Sequence, residues 1–330
     1  MDSVSQIALG AAVGMAAMGR RTALWKSALW GALAGTLPDL DVLIDYGDPI
    51  ADMVRHRAET HAPFWLTLFS LPFAALVARI HREPFARWWF ALWLALVTHP
   101  LLDAFTVYGT QLFLPFSNHP VGLGSVFIID PLYTLPLLVG VGIALARGTL
   151  RANTAGLVLS TAYLGWGAAV QQHVSGVARE ALAAQGIRAE HVLVTPAPFT
   201  SLLWRVVAVE RTSYHEGFHS LFDGARPIAF DRFDRGAALE AALADSAPVR
   251  TIAAFSKGFY KLHLQGDRVL LTDLRMGQEP GYIFSFAIAQ QRSAPRLVQP
   301  IEQVGARGDP ARLFAWLWPR LRGEDVAPPR

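Results

Sequence analysis

Three short runs of this chain concentrate residues able to do chemistry. "PDLD" holds Asp39 and Asp41 two apart, "HRAETH" holds His56 and His61 five apart, and "THPLLD" holds His99 and Asp103 four apart. The last pair is the most informative, because one helical turn places both side chains on one face, about 6 Å apart. Imidazole nitrogen with carboxylate oxygen, and no thiolate, is a donor set for a divalent metal: Zn²⁺ first, with Mn²⁺ or Fe²⁺ as alternatives. Two or more such ions about 3.5–4 Å apart would suit phosphoester hydrolysis, one activating water and another stabilising the leaving oxygen. No other catalytic class has comparable support. The chain has no cysteine, no GxSxG elbow, no phosphate-cradling glycine loop and no dinucleotide fingerprint.

Asp39, Asp41, His99 and Asp103 are therefore the candidate catalytic residues. Together with His56 and His61 they are also the candidate metal ligands. Asp130, in "FIIDPLY", joins them as a further candidate ligand, and Gln6 could reach the same level. Ordinary alternatives exist for each: Asp39 as a helix cap, His56 and Arg57 as interfacial residues, His99 and Asp103 as a buried structural hydrogen bond. His119, His173, His215, His219 and His263 have no spacing that speaks for ligation.

The elements that must position these residues are apolar. Hydrophobic residues make up 52% of the 330 and charged ones 17%, below the roughly 25% usual for soluble domains. Mean hydropathy is +0.30. Five or six apolar segments can be marked, at 4–18, 29–37, 63–78, 88–102, 126–146 and 155–170. A full span takes about 20 residues, so several fall short. The arginines and Lys26 at 20–26, 79–87 and 147–151 put those turns on the cytoplasmic side by the positive-inside rule. The acidic and histidine-rich connection, and everything after about residue 171, then face outward. If the fourth segment starts near Trp88, His99 lies about 16 Å along it and Asp103 about 22 Å. Ionisable groups at that depth are costly and point to function.

The N-terminus lacks the basic region before an apolar core that marks a signal peptide, so it is expected to be retained. A net charge of +3 from scattered basic residues gives no nucleic-acid-binding pattern. A helical membrane domain is expected over 1–172. After it the pattern becomes that of a small α+β domain with an antiparallel sheet, over 173–322, with a disordered tail at 323–330. "FYKLHLQGDRVLLTDLRMG" signals a hairpin at Gly266-Asp267. "RGAALEAALAD" and "DPARLFAWLWPRL" read as helices, the second capped by Asp309 with Pro310 at its first position.

The runs "GALAGTLPDLDVL", "HRAETH", "THPLLDAFTVYGTQLFLPFS" and "FIIDPLYTLPLL" resemble the YdjM-like inner-membrane proteins, a family described as membrane-bound metal-dependent hydrolases. "TPAPFTSLLWRVV" and "DLRMG" are similar to a soluble tail carried by one branch of it. The resemblance implies a remote kinship with zinc-dependent phospholipase C and single-strand nucleases. It maps an HxxxD pair onto His99 and Asp103, an HRGxTH motif onto His56 and His61, and a PDxD motif onto Asp39 and Asp41. Gln6 stands where many members have histidine. The expectation is an inner-membrane, multi-pass metallohydrolase acting on a lipid or membrane-proximal phosphoester. A non-enzymatic scaffold and a metal or proton transporter are the rival readings.

Overall fold

Two glycine-faced helices begin the chain and set its closest packing. Helix α1 (Ser3–Met18) carries Gly10 and Gly14, and α2 (Leu24–Thr36) carries Gly31 and Gly35. A Cβ on Gly10 would lie 2.3 Å from the Gly31 carbonyl oxygen, and one on Gly31 would lie 2.2 Å from that of Gly10. The two backbones are therefore in direct contact, as small residues four apart allow. Pro38 then tightens the chain into a 3₁₀ turn, Leu37–Leu43, that carries Asp39 and Asp41.

A computed structural model describes residues 1–305 and 309–330. Its contacts divide the chain into two units. The first comprises Met1–Ile44, Arg55–Ala169 and Pro198–Thr200; the second comprises Asp45–Val54, Val170–Ala197 and Ser201–Arg330.

In the first unit a one-turn 3₁₀ helix, Glu59–His61, leads into α4 (Pro63–His81), which forms an antiparallel hairpin with α5 (Phe85–Asp103). At the hairpin turn Trp88 Nε1 donates to Glu83, and Trp30 Nε1 donates to His81 at 2.7 Å. The core joins Ala8, Ala12 and Val13 of α1 to Leu66 and Val77 of α4 and to Trp88, Leu92 and Leu96 of α5. Short α3 (Pro49–Arg55) falls almost wholly in the second unit, and Asp48 caps it by accepting from Ile50 and Ala51 N–H. Helix α6 (Pro131–Arg147) and the first half of the 34-residue α7 (Arg151–Ala184) complete the first unit.

The expectation of five or six spans is corrected here. Among the described residues one helix, α4, is both long and apolar enough to cross a membrane. Helices α1 and α2, at 16 and 13 residues, reach only about 24 and 20 Å at 1.5 Å per residue, short of a core about 30 Å thick. Helix α6 stops at 17 residues. Helix α5 has 19, but Arg87, three tryptophans and His99 dilute its apolar character.

The second unit holds antiparallel sheets, as the alternating and hairpin patterns require. Strands β1 (His191–Pro196), β2 (Leu203–Val209), β3 (Ser213–Ser220) and β4 (Phe230–Asp234) pair in that order. Helices α8 (Ala237–Leu243) and α9 (Ala247–Phe255) follow. Then come β5 (Tyr260–Gln265), β6 (Arg268–Asp273), β7 (Gly277–Gln278), β8 (Gly281–Tyr282), β9 (Ser285–Gln291) and β10 (Pro295–Gln303). The second sheet runs β10-β9-β6-β5, and β7 with β8 forms a small ribbon. The β5–β6 hairpin turns at Gly266-Asp267, with Gly266 at φ +64°, a conformation glycine adopts without strain. Helix α10 (Pro310–Leu321) is capped by Asp309, which accepts from Ala311 N–H at 2.9 Å. Residues after Leu321 carry no helix or strand, but Trp316 Nε1 donates to Val326 O and Arg330 pairs with Glu216 and Asp231.

Candidate metal centre

Four donor atoms from three elements converge in the first unit. Asp39 comes from the Leu37–Leu43 turn, His61 from the Glu59–His61 turn, and His99 and Asp103 from the last turns of α5. His61 Nε2 lies 3.1 Å from His99 Nε2, 3.4 Å from Asp39 Oδ1 and 3.4 Å from Asp103 Oδ2. His99 Nε2 lies 3.4 Å from Asp39 Oδ1 and 3.6 Å from Asp103 Oδ2. A tetrahedron with metal–ligand bonds of 2.0–2.1 Å has edges of about 3.4 Å. These five separations match such an ion, and all four donor atoms lie within 4.8 Å of one another.

The outer nitrogens of both imidazoles are anchored, which aims the inner ones. His99 Nδ1 donates to the carbonyl of Gly35 at the end of α2, 2.7 Å away. His61 Nδ1 meets Thr60 Oγ1 at 2.9 Å, and that hydroxyl donates to Asp41 Oδ2 at 2.6 Å, so it accepts from the ring. Such outer-shell bonds fix the tautomer and present Nε2 to a metal. Two Nε2 lone pairs 3.1 Å apart repel unless a cation lies between them, either a proton on His61 or a metal ion. Burial alone would lower the His61 imidazole, but the Asp103 and Asp39 carboxylates raise it by more, and it ends above its ordinary value. Burial would raise the Asp39 carboxyl. Hydrogen bonds from His61 and His99 outweigh that and hold it well below the usual range.

Asp41 and His56 play a different part from the four. Asp41 Oδ1 pairs with His56 Nδ1 at 2.7 Å, while Oδ2 accepts from Thr60 and from Arg57 N–H at 3.2 Å. Asp41 thus steadies the His61 turn and stands 3.6 Å from His61 Nδ1, outside the group of four. Asp130 is also outside it: the carboxylate caps α6 through Leu132 N–H and accepts from Tyr163 OH at 2.7 Å. Gln6 reaches the centre, donating to Asp103 Oδ1 at 3.0 Å and to His99 O at 3.3 Å. The Met1 amino group meets the same Asp103 Oδ1, which leaves Oδ2 as the oxygen turned towards the imidazoles.

One neighbour had no signal in the spacing. Arg57 is 2% exposed, with Nε 3.2 Å from Asp103 Oδ2, Nη1 donating to Thr106 Oγ1 and the guanidinium 4.8 Å from the Tyr108 ring centroid. Only its place inside "HRAETH" pointed to this region.

A helical domain with a buried nitrogen–oxygen donor cluster at its helix ends defines a candidate metal-binding membrane-type protein. The chain belongs to the YdjM inner membrane protein family, whose model matches residues 1–174. All four donors lie inside that match. The chain is also similar to the uncharacterized protein YfhP of Bacillus subtilis (strain 168), 28% identical over 156 residues, which is 45% of this chain and 48% of that protein. The match thus spans about half the length of that relative. No solved structure matches the chain.

Proposed function

We propose that the protein is a membrane-bound, metal-dependent hydrolase acting on a phosphoester of a lipid or another membrane-proximal molecule. The observation that carries this reading is the pair of anchored imidazoles whose Nε2 atoms meet 3.1 Å apart between two carboxylates. When bound, a divalent ion would supply Lewis acidity to a phosphoryl oxygen and lower the pKa of a water to about 7. Zinc suits the donors best.

The protein's own residues shape access to that ion. Asp39 has a side chain 20% exposed, whereas those of His61, His99 and Asp103 are fully buried, so the centre opens on the Asp39 side. The same turn exposes Leu40, Val42 at 72% and Leu43 at 80%. Elsewhere in the unit Phe116, 82% exposed, touches Phe64 edge-on. Apolar groups bared on the turn that carries Asp39 suit a site that meets lipid. The proposal also keeps a multi-pass arrangement with the C-terminal domain on the outer side, motivated by the three basic turns. A reporter fused after Arg330 that works only outside the cytoplasm should be active, and activity of a cytoplasm-only reporter would reverse the orientation.

The chemistry is tested on the full chain in lipid or detergent, against a panel of phospholipids and aryl phosphoesters. At least one should be cleaved, with activity lost to a chelator and regained with Zn²⁺ or Mn²⁺. Asp39→Asn should reduce the rate at nearly constant shape. Equal, slow hydrolysis by wild type and variant with metal present would favour a non-enzymatic scaffold.

A further inference from the structure

The metal reading leaves a buried cation unexplained. Arg57 has its backbone in the left-handed region at φ +66°, uncommon for a residue with a side chain. Its N–H donates to Asp41 Oδ2 at 3.2 Å and its carbonyl accepts from Gln111 N–H at 3.0 Å, which hold it there. The guanidinium is fixed on two further sides by Thr106 and the Tyr108 ring. Its Nε lies 3.2 Å from Asp103 Oδ2, yet the N–H is not aligned on that oxygen. Arg57 Nε, Asp103 Oδ2 and Gln6 Oε1 are all buried without a hydrogen-bond partner among the described residues. Native proteins rarely leave such groups unmatched unless a ligand or ion completes them.

Asp103 Oδ2 is also one of the four metal-donor atoms. When that oxygen serves a dication, Arg57 loses the charge it faces and stands beside another positive centre. A buried cation without a counter-charge is strongly unfavourable. An oxyanion at this point relieves both centres at once, and the planar guanidinium is the side chain best matched to phosphate oxygens.

We propose that Arg57 and the metal held by Asp39, His61, His99 and Asp103 together form a site for a tetrahedral oxyanion of the phosphate class, in which metal and anion each strengthen the other's binding. The inference rests on the metal reading and adds to it a ligand class and a partner residue. Linkage requires the two effects to be equal: the factor by which the metal tightens anion binding is the factor by which the anion tightens metal binding.

The experiment measures Mn²⁺ affinity of the detergent-solubilised full chain by electron paramagnetic resonance, with and without inorganic phosphate. Phosphate should tighten Mn²⁺ binding roughly tenfold or more, within the usual range of coupling between sites. Arg57→Gln should bind Mn²⁺ at least as tightly as wild type without phosphate, and phosphate should then add nothing. Arg57→Lys, which keeps the charge and loses the planar fork, should show reduced coupling. This variant decides the matter if Arg57→Gln does not fold, and unchanged coupling in it overturns the proposal. Wild type that binds Mn²⁺ with no effect of either phosphate or phosphatidic acid overturns the oxyanion site alone. Wild type that binds neither Mn²⁺ nor, by competition with a chromogenic chelator, Zn²⁺ overturns the metal reading beneath it. A parallel titration with short-chain phosphatidic acid separates the two sources: coupling with both ligands indicates the oxyanion itself, and coupling with phosphatidic acid alone indicates a lipid headgroup.

Discussion

Each unit of the molecule buries a group of charges, and the two groups are built differently. In the second unit Arg205 grips Glu216 through Nε at 2.7 Å and Nη2 at 2.6 Å, while Lys261 meets Glu279 and Tyr214 donates to the same carboxylate. None of these four charged residues has a buried polar atom left without a partner. In the first unit like faces like: two imidazole nitrogens meet at 3.1 Å, two carboxylates flank them, and Asp103 Oδ2 is unmatched. A closed network of opposite charges holds a fold together. An array of donor atoms turned towards one point costs stability until something occupies it.

That contrast is broken most directly by the same conservative change in each group. Glu216→Gln leaves Arg205 buried against a neutral amide and should cost about 3–5 kcal/mol, seen as a lower urea midpoint by circular dichroism. Asp39→Asn loses attraction to His61 and His99 but also relieves repulsion from Asp103. The attraction outweighs the repulsion, so it should destabilise the metal-free fold, but less than Glu216→Gln does because Asp39 is partly exposed, while weakening metal binding. Comparable destabilisation by both would mean that the first group is structural too.

A finer test leaves the four donors in place. Thr60→Val removes the hydroxyl that orients His61 Nδ1, and loss of an outer-shell partner typically lowers metal affinity about 10–100-fold. Chelator competition on the purified chain measures it. Undiminished affinity would show that His61 is aimed by packing alone.

The smallest effects are those of pH, and they should have opposite signs in the two units. His61 is raised above 6.5. Its contribution to metal-free stability is present below pH 6.5 and is lost as pH rises through the folded value. Metal needs the neutral ring, so metal affinity should strengthen over the same rise. His263 is lowered to about 4, by burial and then by Lys261. Its contribution is present above pH 6.5 and is lost as pH falls towards 4. Thermal melts of His61→Gln and His263→Gln, compared with wild type across pH 4–8, check both signs.

How much of this was legible in the sequence depends on the range of the interaction. The His99–Asp103 pair follows from helical periodicity, and the Gly266-Asp267 hairpin and the Asp309 cap are local signals that the structure repeats. The convergence of Asp39 and His61 on that pair was suggested by shared level and by resemblance; no local rule contains it. The anchoring of His99 on the Gly35 carbonyl and the burial of Arg57 arise from tertiary packing. Span number was overestimated because apolar runs were counted as spans although α1, α2 and α6 are too short to cross. Strands β2 and β3 are buried along their whole length, including the polar Glu216 and Arg205, so alternation could not mark which face they bury.

The glycine seam between α1 and α2 carries a consequence for where mutations will be felt. It brings two main chains together without an intervening side chain, so their separation has no rotamer through which to adjust. The Gly35 carbonyl that anchors His99 lies on this seam, where a Cβ on Gly35 would come within 2.5 Å of the Gln6 carbonyl oxygen. The seam works like the fixed jaw of a gauge: the imidazole is aligned against a surface that cannot creep. Gly31 holds no donor and sits one helical turn before Gly35. Even so, Gly31→Ala would drive a methyl into the Gly10 carbonyl, push that jaw aside and spread the donors.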